Sequence, residues 1–301
     1  MAQAAPLSLN SGSWAAELLG NQCQRLVRLQ GDVLADRDPE PLHQLRVSLR
    51  RLRTLLVQFE AALELPETVA AARIAGVARR TSLTRDLDVL AQRIEGSLLP
   101  ALPECEQTPL SAALKRLRRE RRDAFEQLRQ ALRGGRHLKL LAHLQHWLRQ
   151  PRFTPLGLLP LSDWLVEWQQ PSSATLLLHP GWFSEDPDDA CLHDLRKRIK
   201  GVRYSLENLQ PHLDPALGDW ITALRQAQDH LGELNDLQVL RRALSERALP
   251  VRLSRLPQLR EALDRQQSDC WQQWRSQVNG LLDGEQRRQL HRRLAGMLIL
   301  P

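Results

Sequence analysis

Glycine is scarce, at 15 of 301 residues, aromatic side chains make up only 4%, and runs of β-branched residues are nearly absent. Sheets draw on the last two, so little here would build one, whereas the abundant leucine and alanine favour helix. The fold class read from these shortages is all-α. The four cysteines, Cys23, Cys105, Cys191 and Cys270, show no C-x-x-C spacing. That excludes a zinc knuckle and a dense disulfide framework and leaves reduced, packed thiols. No uninterrupted apolar run approaches a membrane span, and the opening MAQAAPLSLNSGSW has no basic segment followed by an apolar one. A cytoplasmic protein with no membrane partner is expected. A glycine-rich phosphate loop, a dinucleotide fingerprint, a nucleophile elbow and H-E-x-x-H are all missing, so catalysis has no visible carrier and no cofactor or metal is expected.

What is present is leucine and arginine. Hydrophobic residues make up 42% of the chain, enough to bury a core for one large domain or two modest ones. Basic residues outnumber acidic ones 42 to 35, giving a net charge of +7 and a pI near 9.9. A polyanion, an acidic protein or an anionic membrane would each suit that balance. The only lysines are Lys115, Lys139, Lys197 and Lys200. The planar guanidinium fork of the many arginines leans the choice toward phosphate or carboxylate oxygens. Helical periodicity, punctuated by proline and glycine, predicts helices over 13–35, 40–64, 67–97, 109–133 and 137–149. A Pro/Gly-rich connector over 150–186 holds one short helix around Asp163–Trp168, and further helices follow over 187–210, 214–247, 256–282 and 284–299.

The second half repeats the first. LHQLRVSLRRLRTLL begins at Leu42 and LHDLRKRIKGVRYSL at Leu192, and RDLDVL (85–90) matches NDLQVL (235–240) at the same offset of 150. Two matches in one register point to a duplicated unit, 12–149 and 187–300, and to two similar four-helix bundles about a pseudo-two-fold axis. At 100° per residue, His43, Arg46, Arg50 and Arg53 fall within an arc of roughly 80°. His193, Arg196, Lys200 and Arg203 do the same, so each helix carries a cationic row about 15 Å long opposite its leucines. Asp38-Pro39 and Asp186-Pro187 read as N-caps with proline in the first turn, which sets each histidine near a helix N-terminus. A basic helical face is ordinarily a solvated surface. Its recurrence without a carboxylate at any of the four shared positions implies that something negative lies against it, because like charges so close repel one another. Neutralising a row is then expected to leave the fold as stable or more so. Neither histidine has a carboxylate or a second imidazole at i+3 or i+4, which argues against a metal. Asp86 and Asp236 read as carboxylates that orient the cations from a neighbouring helix. Lys115, Arg119 and Arg122 line one side of a third basic helix whose counterpart is not basic; it is either a solvated face or a further wall of the site.

HQLRVSLRRLRTLL with TRDLDVL, and HDLRKRIKGVRYSL with LGELNDLQVL, resemble the two halves of a CHAD domain, the conserved-histidine α-helical domain, across about residues 12–300. The resemblance implies two four-helix bundles around a basic cavity that binds inorganic polyphosphate; the leading expectation is a polyphosphate-binding module that directs itself or its partners to polyphosphate granules. By position it implicates His43, Arg46, Arg50 and Arg53 with His193, Arg196, Lys200 and Arg203, and it adds Arg51 and Lys197 as neighbours. ECEQT (104–108) has the two glutamates of an E-x-E-x-K triphosphate-tunnel strand but Thr108 in place of its lysine, and it reads as a proline-flanked loop, so a stand-alone domain is expected. Two other functions stay in view. A nonspecific nucleic-acid binder would share the charge term, and a metal-dependent enzyme acting on polyphosphate would need carboxylates from Asp86, Asp88, Glu233 and Asp236.

Overall fold

The computed structural model describes residues 9–245 and 253–296. Among these residues the regular structure is helical, with two isolated bridges (Asn10 with Pro160, Leu63 with Phe153) and no strand. The helices in order are α1 (Ser11–Ala35), α2 (Glu40–Gln58), α3 (Ala71–Arg80), α4 (Ser82–Arg93), α5 (Glu104–Arg133), α6 (Gly135–Arg149), α7 (Leu165–Leu177), α8 (Ala190–Leu209), α9 (Leu217–Ser245), α10 (Pro257–Leu281) and α11 (Gly284–Gly296). The expected ends at 247 and 299 lie outside the described residues. None of these helices is long and apolar enough to cross a membrane.

Local chemistry sets the boundaries. Asn10 caps α1 by accepting from Ser13 N at 2.7 Å, and Asp36 ends it in the left-handed conformation, φ 50°. Asp38 accepts from Glu40 N at 2.6 Å, as its position before α2 predicts. The second cap differs from expectation. Asp189 accepts from Cys191 N at 2.8 Å and starts α8, while Asp186 turns back to Asp188 N, three residues upstream. The helix expected over 67–97 breaks at Thr81. There the Thr81 and Ser82 hydroxyls both donate to Ala78 O, at 2.7 and 3.3 Å, competing with the backbone ladder. ECEQT opens α5 and is not a loop. Glu106 is 4% exposed and accepts from Gln258 N and Leu259 N at 2.9 and 2.8 Å, so a residue of the first repeat caps α10 of the second.

The connector is better ordered than its proline content suggests, since α7 runs to Leu177. Trp168 packs its ring 5.2 Å from Phe59, and Trp182 stacks on Trp274 of α10 at 5.6 Å. Gly157 is required by contact: a Cβ there would sit 2.0 Å from Ala62 O.

Two clusters of buried side chains hold the chain together, and each draws on both repeats. The larger joins α1, α2, α6 and the C-terminal part of α5 to α7, α8 and the N-terminal part of α9. The smaller joins Leu87 and Leu90 of α4 and Leu110, Leu114 and Leu117 of α5 to Leu237, Leu240 and Leu244 of α9. The matched leucines of RDLDVL and NDLQVL therefore share one core. At about 1.5–3 kcal/mol per buried leucine, this shared surface ties the repeats strongly.

Candidate functional site

The two histidine-bearing helices pack on each other. Where α2 passes α8, Gln58 Nε2 donates to Ser205 O at 3.1 Å and Asn208 Nδ2 donates to Gln58 Oε1 at 2.9 Å, so residues 150 apart meet. Leu45, Leu49, Leu52, Leu192, Leu195 and Ile199 are buried, which turns the cationic rows away from the core. His43 and His193 each occupy the fourth position of their helices.

In the first row Arg46 is anchored. Its Nη1 donates to Thr81 Oγ1 and Ser82 Oγ, both at 2.9 Å, which ties α2 to the elbow between α3 and α4. Arg50 and Arg53 make no hydrogen bond or ion pair among the described residues. In the second row the position matching Ser82 is Gly232. A Cβ there would come within 3.1 Å of Arg196 Nη2, so Arg196 lies directly over α9, and its buried Nε has no partner. His193 Nδ1 meets Asn235 Oδ1 at 2.7 Å, whereas the matching neighbour of His43 is the charged Arg85.

The rows adjoin through Arg50, whose charge acts on His43 and Arg46 of its own helix and on Arg196 and Lys200 of α8. Burial pushes Arg46 and Arg196 below their ordinary values, with Asp86 and Asp236 respectively pulling the other way. Lys200 is affected most: burial, then Arg196 and Arg50, bring it down to about 6. Both histidines are lowered chiefly by burial and by the neighbouring cations. Asp86 is raised, by desolvation first and also by facing Asp236, against the pull of Arg46 and Arg85. The two carboxylates thus sit among the cations, near each other.

Other residues implicated by sequence are placed differently. Arg203 is 6% exposed and ion-paired with Glu207; Glu207 also takes Arg51 at 2.6 Å and Arg225 at 3.1 Å. Both Arg51 and Arg203 lie over the Tyr204 ring, at 4.8 and 4.5 Å. These two arginines form a clasp between α2 and α8 and do not extend the outward rows. Lys197 is exposed and paired with Asp194 at 2.9 Å. Lys115, Arg119 and Arg122 are exposed on α5, while their neighbours Arg118 and Arg121 turn to Glu95 and Asp88 at 2.6 and 2.8 Å. Glu233 pairs with Arg93 at 3.2 Å. Among the described residues no group of three His, Cys, Asp or Glu side chains is placed to hold a metal ion.

Sequence reasoning missed Arg85, Asn235, Gly232 and Glu207. Arg85 and Asn235 were within reach, because both lie at the head of the repeated RDLDVL/NDLQVL segment. Glu207 has no counterpart that marks it, since the matching position in the first repeat is Val57.

Fold and site together define an all-helical domain with a histidine-headed cationic row on each of two packed helices. Residues 17–245 match the CHAD domain family, and the chain belongs to it. The crystal structure of the CHAD domain from the plant Ricinus communis superposes with a TM-score of 0.63 at 24% identity, covering 100% of this chain and 96% of that one. PptA from Streptomyces chartreusis gives 0.61 at 18% identity, covering 89% and 96%. Such likeness speaks for the fold. No curated protein matches.

Proposed function

We propose that this protein binds inorganic polyphosphate along the two adjoining rows, as a binding module without catalytic activity. The reading includes the pseudo-two-fold pair of four-helix bundles, 12–149 and 187–300, with the rows facing a shared basic cavity. Membership of the CHAD family supports it. The observation that carries it is the cluster of Arg46, Arg50, Arg196 and Lys200 on two packed helices, none of them in an ion pair among the described residues, where burial first and then the charges of Arg196 and Arg50 bring Lys200 down to about 6. A flexible chain of phosphates touching both helices would relieve that repulsion and restore the lysine's charge.

The test is titration of wild type and the Arg50→Gln/Arg196→Gln variant with long-chain polyphosphate and with single- and double-stranded DNA, at matched phosphate concentration across a salt series. Polyphosphate should bind wild type more tightly than either DNA. The variant should lose at least tenfold in affinity, as expected from about 1.5–3 kcal/mol per charged contact, with a flatter salt dependence. Equal affinity for all three polymers would favour the nucleic-acid reading. Metal-dependent phosphate release abolished by Asp86→Ala or Asp236→Ala would favour an enzyme.

A further inference from the structure

Away from the rows, a cleft of about 1020 Å³ opens between α3 and the junction of α5 with α6. Arg73, Arg79 and Arg80 of α3 and Arg136 and Lys139 of α6 line it, with no carboxylate among the lining residues. None of these five cations forms a hydrogen bond or ion pair among the described residues. Arg79 and Arg80 suit the C-terminal turn of α3, where they offset the helix dipole, but that accounts for only two of the five.

The opposite wall is the start of α6, where the first-turn N–H groups of Gly135 and Arg136 have no acceptor within the helix. His137 also lines the cleft, is 3% exposed, and has its Nε2 on Gln30 Oε1 at 3.2 Å, yet its Nδ1 is buried without a partner. Part of the wall is apolar, formed by Val77 and Leu140 among others. A bare phosphate chain would leave that surface uncovered. The volume is at the upper end of the range of small-molecule sites, about 300–1,000 Å³.

We propose that this cleft is a second binding site, separate from the rows, for a small phosphorylated ligand of nucleotide size. Its phosphates lie against Arg79, Arg80, Arg136 and Lys139, and its ring lies on Val77 and Leu140. The experiment is calorimetric titration with ATP, with tripolyphosphate as the ring-free control. The informative variant is Gly76→Leu. Gly76 lines the cleft inside α3, and a Cβ there would meet only the mobile end of Arg79, at 3.8 Å. Leucine therefore fills the space, favours the helix and keeps every charge. Wild type should bind ATP at one site. Gly76→Leu and, separately, Arg79→Gln/Arg136→Gln should each weaken ATP at least tenfold, while Arg50→Gln/Lys200→Gln leaves it within about twofold. In that last variant tripolyphosphate should bind at least tenfold more weakly than ATP. The proposal is overturned by any of four results: no ATP binding to wild type, ATP binding unchanged in Gly76→Leu, ATP binding lost with the row variant, or tripolyphosphate equal to ATP.

Discussion

A lysine ammonium ordinarily keeps its proton up to about 10.5, whereas Lys200, half-buried beside Arg196 and Arg50, gives it up at about 6. Between those values the unfolded chain binds more protons at this position than the folded one, so this residue's contribution raises stability as pH climbs from 6 towards 10. Lys200→Met should therefore stabilise the protein most at pH 6 and below, with the gain fading toward pH 10; thermal unfolding across that range measures it. A polyanion on the rows favours the charged form. Polyphosphate binding should tighten from pH 8 to 6 with net proton uptake, read by calorimetry in buffers of different ionisation heat, and the uptake should fall in Lys200→Met. Arg50 and Arg203 part company here. Arg50 lies close to Arg46, Arg196 and Lys200 and has no ion pair or hydrogen bond among the described residues to lose, so Arg50→Gln should hold or raise the melting temperature. Arg203→Gln removes a buried partner of Glu207 and should lower it, contrary to what a uniform outward row implies. Glu207→Ala should be worse still, about 3–5 kcal/mol, because it strands the buried Arg203 charge.

The elements show a different economy, in which single contacts between distant segments fix where helices begin and end. Glu106 holds the first turn of α10 from another helix, so Glu106→Gln should speed amide exchange at Gln258 and Leu259 and cost about 1–3 kcal/mol. Gly157→Ala should cost a similar amount, about 1–3 kcal/mol, by forcing the connector off Ala62, and chemical denaturation would register it. Helix existence and the faces of α2 and α8 were legible in the sequence because periodicity records burial. The histidine's place in the first turns was legible too, although Asp189 and not Asp186 makes the second cap. The break at Thr81, the length of α7 and the helical start of α5 were not legible. The last two involve partners far along the chain, α1 and α8 for the connector and α10 for Glu106, while at Thr81 the local hydroxyl bonds to Ala78 O are joined by Arg46 from α2. The same limit hid the clasp, since nothing local distinguishes an arginine bound to Glu207 from one facing outward.

Over the whole molecule, duplication in sequence does not mean separability in space. Both cores recruit side chains from either side of the connector, so 12–149 and 187–300 expressed apart should each fail to give a cooperative thermal transition, while the full chain melts as a unit. Two sharp, independent transitions would contradict this. The Trp182–Trp274 stack lies on the seam, with interplanar angle 14° and both rings nearly inaccessible to solvent. Indoles that close couple their electronic transitions, so the pair should give an exciton couplet in the ultraviolet circular dichroism, distinct from the helical bands. That signal belongs to the docking of the connector against α10 and to nothing else in the helix count. It would fade when the seam opens even if every helix stayed wound, giving the intact chain an optical gauge of its own closure.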